Sequence, residues 1–484
     1  MARLPVLTYD RGTLLLHPPP RGKGWMDYAT WDDRVERFRL PASAYCEVLA
    51  CLESEGCRFD NQAAAFTPLS LIPAFERQPY RHQQEALHRW QAAQHRGVVV
   101  LPTAAGKTYL AQMALQAVGW SSLIVVPTLE LLHQWYHQLL TLFPAAEVGL
   151  LGGGSRDQSS LLVATYDSAA IHAEFLGNRY ALLIFDECHH LPSDFYRVTA
   201  EYAIAPYRLG LTATPERSDG RHQDLITLIG QEVYRKTAVE LAGYALAEYE
   251  VIPMRVTLSE GEQAEYRRWL AIRNQFLQQS GIRLGQAGAW QQFIRVSGRS
   301  AQGRQAMLAH HQAKGIAQAT SSKLRILRQL LIEHHPQQIL IFAHDQATVY
   351  HISTSLLIPA ITHQTPVKER QDILTRFRAG EYTRLVAANV LDEGVDVPEV
   401  KIAIWLAGSG SPRQFIQRLG RILRRSASGQ PARLYELISQ DTLEEGISQR
   451  RHGQTLSPYP RGSSFPSPPT ARAAEQPDDY YSSP

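Results

Sequence analysis

Between Pro79 and about Glu240, five short and mainly apolar runs alternate with stretches of helical spacing: Gly97 to Leu101, Ser122 to Pro127, Leu161 to Thr165, Ala181 to Phe185 and Arg208 to Thr212. Runs that stay apolar at successive positions fit strands buried on both faces. A strand-helix-strand rhythm then requires a parallel sheet with helices on either side. A second set begins at Gln338 to Phe342, continues at Arg384 to Ala388 and Lys401 to Leu406, and ends near Leu434 to Ile438. The expected fold class is therefore α/β, with two parallel-sheet lobes. A length of 484 residues leaves room for roughly three domains, each with a buried core.

The remaining segments divide around these lobes. Residues 1–75 combine a strand-like run at Gly12 to Leu16, a break at Pro18-Pro19-Pro20 and a helical pattern from Ala44 to Glu55, which reads as a small α+β domain. The lobes are expected at 76–245 and 321–451, separated by a basic helical insertion at 246–320. In and beside that insertion, Arg267, Arg268, Arg273, Arg283, Arg295, Arg299, Arg304, Lys314, Lys323, Arg325 and Arg328 stand against Glu262, Glu265 and Glu333. Tyr266, Trp269, Phe276, Trp290 and Phe293 are interleaved with them, and fit either base stacking or a small core of the insertion's own. So unbalanced a run suggests a mobile grip on an anionic polymer. Residues 452–484 are Ser/Pro-rich without apolar periodicity, as expected of a disordered tail.

Composition narrows the function classes. A net charge of +3 carries no nucleic-acid signal, so any basic surface must be local. Cys46, Cys51, Cys57 and Cys188 lack paired CxxC spacing and are too few for a disulfide framework, which favours a reduced cytosolic chain over a metalloprotein. The start, MARLPVLTYDRG, has no apolar signal core, and no segment approaches the roughly 18 apolar residues needed to span a bilayer. The expected place of work is the cytoplasm or the nucleoid, with no membrane partner.

The run from Val98 to Thr108 reads as a strand, a tight loop and the start of a helix. In such a loop, backbone N–H groups of Thr103, Ala104, Ala105 and Gly106 can cradle phosphate oxygens. The Lys107 ammonium reaches the β and γ phosphates, and the Thr108 hydroxyl ligates Mg²⁺. About eighty residues beyond Lys107, the apolar run Leu182 to Phe185 ends in Asp186 and Glu187. An acid pair at the carboxyl end of a parallel strand suits joint service, Asp186 holding the metal and Glu187 polarising the attacking water. The neighbouring His189-His190 pair suggests zinc only in isolation, since no cysteine or third clustered ligand lies close in sequence.

Taken together, Pro102 to Thr108, Asp186 to His190, Leu211 to Pro215 and Gln417 to Arg424 resemble motifs I, II, III and VI of superfamily-two helicases, in order. Tyr80 to Gln83 resembles the adenine-reading motif, Val126-Pro127-Thr128 motif Ia, and Asp392 to Pro398 motif V. Within the superfamily, Gly210 to His222 is similar to the XPB family, where motif III runs into an Arg-Glu-Asp element; here it reads Arg217-Ser218-Asp219, without the middle carboxylate. Trp31 to Arg34 and Phe38 to Ala42 are similar to that family's damage-recognition domain, and the basic insertion stands at the place of its thumb.

The resemblance implies two RecA-like motor lobes with ATP and Mg²⁺ in the cleft between them. Gln83 would read adenine, while Gly394 and Asp396 face the nucleotide from the second lobe. Gln417, Arg421 and Arg424 would complete the catalytic set, the arginines acting against the charge of the reacting phosphate. Thr128, Thr212, Thr214, Arg217 and Asp219 would couple that site to nucleic acid. It further implies DNA, single-stranded or tailed duplex, as the track, 3′-to-5′ movement, roles in repair or transcription, and a repair nuclease as a partner class. The competing readings are a duplex translocase, an RNA helicase, or a catalytically silent nucleic-acid clamp.

Overall fold

Three sheets carry the chain in the computed structural model, which describes residues 4–217, 219–284, 286, 288–388, 400–406 and 431–452, with side chains to residue 448. Gly394, Asp396, Gln417, Arg421 and Arg424, together with Ser218 and the tail from residue 453, lie outside the described residues.

The first sheet contains β1 (Val6–Asp10), β2 (Thr13–His17), β3 (Thr30–Asp32), β4 (Arg37–Pro41) and β5 (Asp60–Asn61), in the order β3-β4-β2-β1-β5. Its apolar face packs on the helix Tyr45–Ser54 through Leu14, Leu16, Leu40, Val48 and Leu52, giving a small α+β unit with its own core. Tyr9 Oη donates to the Tyr202 carbonyl at 2.9 Å and Asn178 Nδ2 to the Ala63 carbonyl at 3.0 Å, so this unit rests on the next one.

The second sheet contains β6 (Arg96–Val100), β7 (Ser122–Val126), β8 (Val148–Gly152), β9 (Ser155–Arg156), β10 (Leu161–Thr165), β11 (Leu182–Asp186), β12 (Tyr207–Thr212) and β13 (Glu232–Arg235). Its order is β13-β6-β12-β11-β7-β10-β8-β9, parallel throughout except for the β8-β9 hairpin. Successive residues of each central strand enter opposite cores: Val99, Ile124, Val163 and Ile184 one, Val98, Val125, Ala164 and Phe185 the other. That two-sided burial is why these strands are uninterrupted apolar runs. The five strands expected here are present, joined by three more: β9 is only two residues long, β13 is half polar, and β8 is apolar but interrupted by Gly149 and closed by Gly152.

The third sheet contains β14 (Tyr249–Val256), β15 (Ile339–Phe342), β16 (Ala360–Ile361), β17 (Arg384–Ala387), β18 (Ile402–Trp405) and β19 (Ala432–Ser439), all parallel in the order β14-β19-β18-β15-β17-β16. Here the structure departs from the expected boundary at residue 246. Tyr249 to Val256 pairs along its whole length with Ala432 to Ser439 and belongs to the second lobe's sheet, not to the insertion. The partner strand lies some 180 residues later, and Pro253 within the run weakens any local strand signal.

The insertion proper is three helices, Glu260–Gln279, Ala289–Ser297 and Ala301–Gln318. Phe276, Leu277, Ile282, Phe293 and Ala306 form its own core, so these two aromatics are packing residues. At its base Ser321 N donates to Glu262 Oε1 at 2.8 Å, Leu443 N to Tyr266 Oη at 2.8 Å, and Ser439 Oγ to the Ala317 carbonyl at 2.6 Å. Lys314 Nζ lies 2.9 Å from His344 Nε2. The insertion is thus bonded to the second lobe rather than free to move by itself. Nearby, fully buried Lys323 pairs with Glu444 at 2.6 Å and donates to the Leu406 carbonyl at 2.7 Å. Removing one member of such a buried pair costs about 3–5 kcal/mol, which makes it a structural joint.

Candidate active site

In the second sheet β6, β12 and β11 are neighbours, with Val100 opposite Thr212 and Leu211 opposite Asp186. Their carboxyl ends therefore open side by side, delivering the loop after Leu101, the acid pair and the Thr212–Thr214 segment to one edge. In open parallel sheets that edge is where ligands bind.

The loop after β6 leads to Lys107, the first residue of the helix Lys107–Val118. Gly106, at φ +81°, needs glycine for its left-handed backbone, and a Cβ there would also push aside the Gln83 amide, whose Nε2 would stand 2.2 Å away. Ala104 also adopts a left-handed conformation, φ +66°, at a strain of roughly 1 kcal/mol that glycine would avoid. The loop is braced from behind. Gln83 Nε2 donates to the Gly106 carbonyl at 3.2 Å and Gln83 Oε1 accepts from Tyr80 N at 2.9 Å. His82 Nε2 donates to the Ala105 carbonyl at 2.9 Å, and its burial holds the imidazole below its usual pKa. Among the described residues Thr103 Oγ1, in the same loop, is buried without a hydrogen-bond partner, a polar atom available to a ligand.

Lys107 Nζ lies 3.4 Å from Glu187 Oε1 and 3.4 Å from the Leu101 carbonyl. Asp186 is buried at the end of β11, its Oδ2 accepting from Trp135 Nε1 at 2.9 Å and its Oδ1 from Glu187 N at 3.0 Å. Burial and then the adjacent Glu187 carboxylate push the Asp186 carboxyl well above the usual carboxylate range, against the pull of Lys107. A buried oxygen donor in that condition suits a hard divalent cation, and Thr108, the second residue of the helix, adds a hydroxyl of the same class. Among the described residues no group of three or more His, Cys, Asp and Glu forms a metal cluster, and all four cysteines are free thiols.

Glu187 itself is left-handed, φ +47°, and opens the short 3₁₀ turn Cys188–His190. His189 is fully buried; its Nδ1 meets Thr212 Oγ1 at 3.0 Å and lies 3.5 Å from Glu187 Oε2. Thr212 Oγ1 donates to the Thr214 carbonyl at 3.1 Å and accepts from Thr214 N at 3.2 Å, closing the turn after β12. Arg217 Nη1 donates to the His189 carbonyl at 2.6 Å, while its Nε and Nη2 fork onto Asp219 at 2.9 and 2.6 Å. Thr128 caps the helix Leu129–Leu142, accepting from Leu131 N at 3.2 Å. On that same helix Glu130 pairs with Arg370 of the second lobe at 3.1 Å.

Lys107, Thr108, the loop residues 103–106, Gln83, Asp186, Glu187, Thr212, Thr214, Arg217 and Asp219 thus fall in one contiguous region. Trp135 carries no expectation for this region, and His82 and His189 enter it only as members of the quoted motifs, without a role of their own. Trp135 reaches Asp186 across 51 residues, and no local spacing announces that contact. His82 had a signal, its place directly before Gln83.

Away from this edge, Arg267, Arg268, Arg283, Arg295, Arg299 and Arg304 of the insertion are exposed, and none is ion-paired among the described residues. Arg273, by contrast, is buried on Asn274, with burial lowering its basicity, and Lys314 and Lys323 are bonded to the second lobe.

Residues 7–63 match the family described as "Xeroderma pigmentosum group B helicase damage recognition domain", 76–217 that described as "Type III restriction enzyme, res subunit", and 322–426 that described as "Helicase conserved C-terminal domain". The chain is 38% identical over 422 residues to the "DNA 3'-5' translocase XPB2" of Sulfurisphaera tokodaii, covering 87% of this chain and 95% of that protein. It is 30% identical over 384 residues to the "DNA 3'-5' helicase XPB" of Kineococcus radiotolerans, covering 76% of this chain and 61% of that one. Among solved structures, the Pyrococcus furiosus Hef helicase domain aligns with a TM-score of 0.51 at 20% identity, over 76% of this chain and 97% of that domain. That likeness shows the same two-lobed RecA-like α/β architecture.

Proposed function

This chain belongs to the XPB family, and from that premise we propose that it is an ATP-dependent DNA helicase or translocase moving 3′ to 5′. The observation that carries the reading is the meeting of Lys107 with Glu187 at the carboxyl edge of one parallel sheet, with a second parallel sheet beside it.

In this mechanism Lys107 and the N–H groups of 103–106 bind the phosphates, and Gln83 positions the adenine end while bracing the loop. Glu187 accepts the proton of the attacking water. Asp186 and Thr108 would hold Mg²⁺, which supplies charge neutralisation at the phosphates when bound. Gly394 and Asp396 would face the nucleotide from the second lobe, and Gln417, Arg421 and Arg424 would close the site. Thr128, Thr212, Thr214, Arg217 and Asp219 pass its state to the DNA groove. A repair nuclease acting on the opened strand is the expected partner class, and the nucleoid the expected place of work. Among the described residues no helix is long and apolar enough to cross a membrane. Ser218, in place of an acidic residue, favours one second reading: a motor that tracks duplex DNA without separating it.

ATP hydrolysis measured with and without DNA, followed by strand displacement on 3′-tailed DNA and RNA duplexes, tests this directly. DNA-stimulated hydrolysis with displacement of DNA is expected. Stimulation without displacement would favour the duplex translocase, stimulation by RNA alone an RNA helicase, and no hydrolysis a silent clamp.

The six unpaired arginines make the insertion a DNA grip carried by the second lobe. Each phosphate contact contributes about 0.9 to the slope of log affinity against log salt on duplex DNA. Deleting residues 261–318 is therefore expected to weaken DNA binding and flatten that slope while sparing DNA-independent ATPase. Because Tyr266 anchors the base, a chain with the six arginines changed to Gln provides the same reading with the helices in place. Unchanged affinity and slope in both would leave the insertion a spacer.

A further inference from the structure

We infer that Arg217 is a positioning residue for the hydrolytic carboxylate, holding the backbone turn that carries Glu187. The inference rests on the assignment of Glu187 to hydrolysis and adds to it a residue from a different element. Glu187 occupies a left-handed conformation, and such a residue keeps its place only when its surroundings over-determine it. Several of the restraints lie behind it: Asp186 Oδ1 accepts from its N–H, and Tyr166 Oη donates to the Asp186 carbonyl at 3.0 Å. Ahead of it, His190 N donates to the Glu187 carbonyl at 3.1 Å, closing the turn on itself.

Arg217 fastens that turn from outside. Its Nη1 donates to the His189 carbonyl at 2.6 Å, a charge-assisted hydrogen bond at the short end of the range. A guanidinium held by one contact can swing, but this one is gripped on its other edge by both oxygens of Asp219. Asp219 in turn accepts from Arg221 N at 3.1 Å, and Arg221 Nη1 reaches Asp194 at 2.7 Å. The pair holds the Asp219 carboxyl far below the usual carboxylate range, so the fork stays charged on both sides at any working pH. Arg217, Asp219 and Arg221 are thus organised by their own charges, and Arg217 fixes the chain two residues beyond Glu187.

The direction of influence follows from exposure. Asp219 and Arg221 are partly open to solvent, whereas His189 is fully buried. A strand of DNA meeting the open side would therefore bear on Glu187 through a single guanidinium, without touching the nucleotide.

The test uses the full chain and compares Arg217→Ala and Arg217→Lys with the parent. The readouts are kcat and KM for ATP with and without DNA, DNA affinity by fluorescence anisotropy, and thermal midpoint. Arg217→Ala is expected to lower kcat about tenfold in both conditions, the kinetic equivalent of one lost hydrogen bond to a charged group. KM for ATP and DNA affinity should stay near parental values. Arg217→Lys should recover part of kcat, since an ammonium can reach the carbonyl but cannot also fork onto Asp219. Weakened DNA affinity with parental kcat would make Arg217 a plain DNA contact and overturn the proposal, as would no change in any readout. Should the alanine variant fail to fold, Asp219→Asn loosens the fork alone; a fall in its kcat supports the brace and a parental kcat overturns it. A parent chain that hydrolyses no ATP would instead sink the functional reading and the brace with it.

Discussion

Glu187→Gln is expected to bind ATP about as tightly as the parent chain while turning it over roughly 10²–10⁴-fold more slowly, the usual contribution of a positioned general base. The substitution preserves volume and the backbone of the turn but removes the one property the reaction needs, a carboxylate able to take a proton from water. Ground-state binding has little to lose if, as we propose, phosphate is met by Lys107 and the loop amides rather than by Glu187. It even has something to gain: the carboxylate that stands 3.4 Å from Lys107 Nζ no longer competes with phosphate for the ammonium. Equilibrium binding of a fluorescent ATP analogue together with steady-state phosphate release checks both halves. A variant that loses nucleotide binding but hydrolyses normally at saturation would remove Glu187 from the chemistry.

How much of this site was legible in the sequence depends on how far each contact reaches. The apolar runs that become β6, β7, β10, β11 and β12 announce themselves because burial on both faces leaves a local trace, and the loop ending in Lys107 does so because its glycine is required by its own backbone. β14 left no such trace: its pairing partner is distant, and its interior proline argues locally against a strand. Trp135 on Asp186, Arg217 on the His189 carbonyl and Arg370 on Glu130 are likewise products of the tertiary fold. Charge counting went wrong in an instructive way at the insertion. It treats all cations alike, yet Arg273, Lys314 and Lys323 are engaged by the protein, and only the exposed remainder is available to phosphate.

The placement of these groups on two bodies gives the cycle its logic. The loop, the acid pair and the Arg217 turn belong to the first lobe, and among the described residues the grip is bonded at its base to the second through Glu262, Tyr266, Lys314 and Ala317. Any closure of the lobes on nucleotide must therefore carry the grip relative to the Arg217 turn. The Glu130–Arg370 pair, at the start of the helix after Thr128, already spans the two bodies.

Among the described residues, positive charge in contact with the acid pair of the first lobe is sparse. Among the described residues at its nucleotide edge Lys107 is the cation in contact with the acid pair, and it begins already committed to Glu187. As the terminal phosphoryl group transfers, charge builds on its oxygens and on the leaving group, and one ammonium is a thin counterweight. We propose that Arg421 and Arg424, which fall in the sequence between β18 and β19 and lie outside the described residues, supply further cations. Arg421→Ala is accordingly expected to lower kcat by a factor on the order of 10³ while leaving ATP affinity nearly unchanged, because a group brought in by closure is felt mainly in the transition state. Rapid-quench single-turnover hydrolysis beside equilibrium nucleotide binding separates the two effects. An increase in KM with kcat preserved would make Arg421 a ground-state phosphate contact. No change in either would return it to the surface of the second lobe and leave the charge of the reacting phosphate to be met from elsewhere.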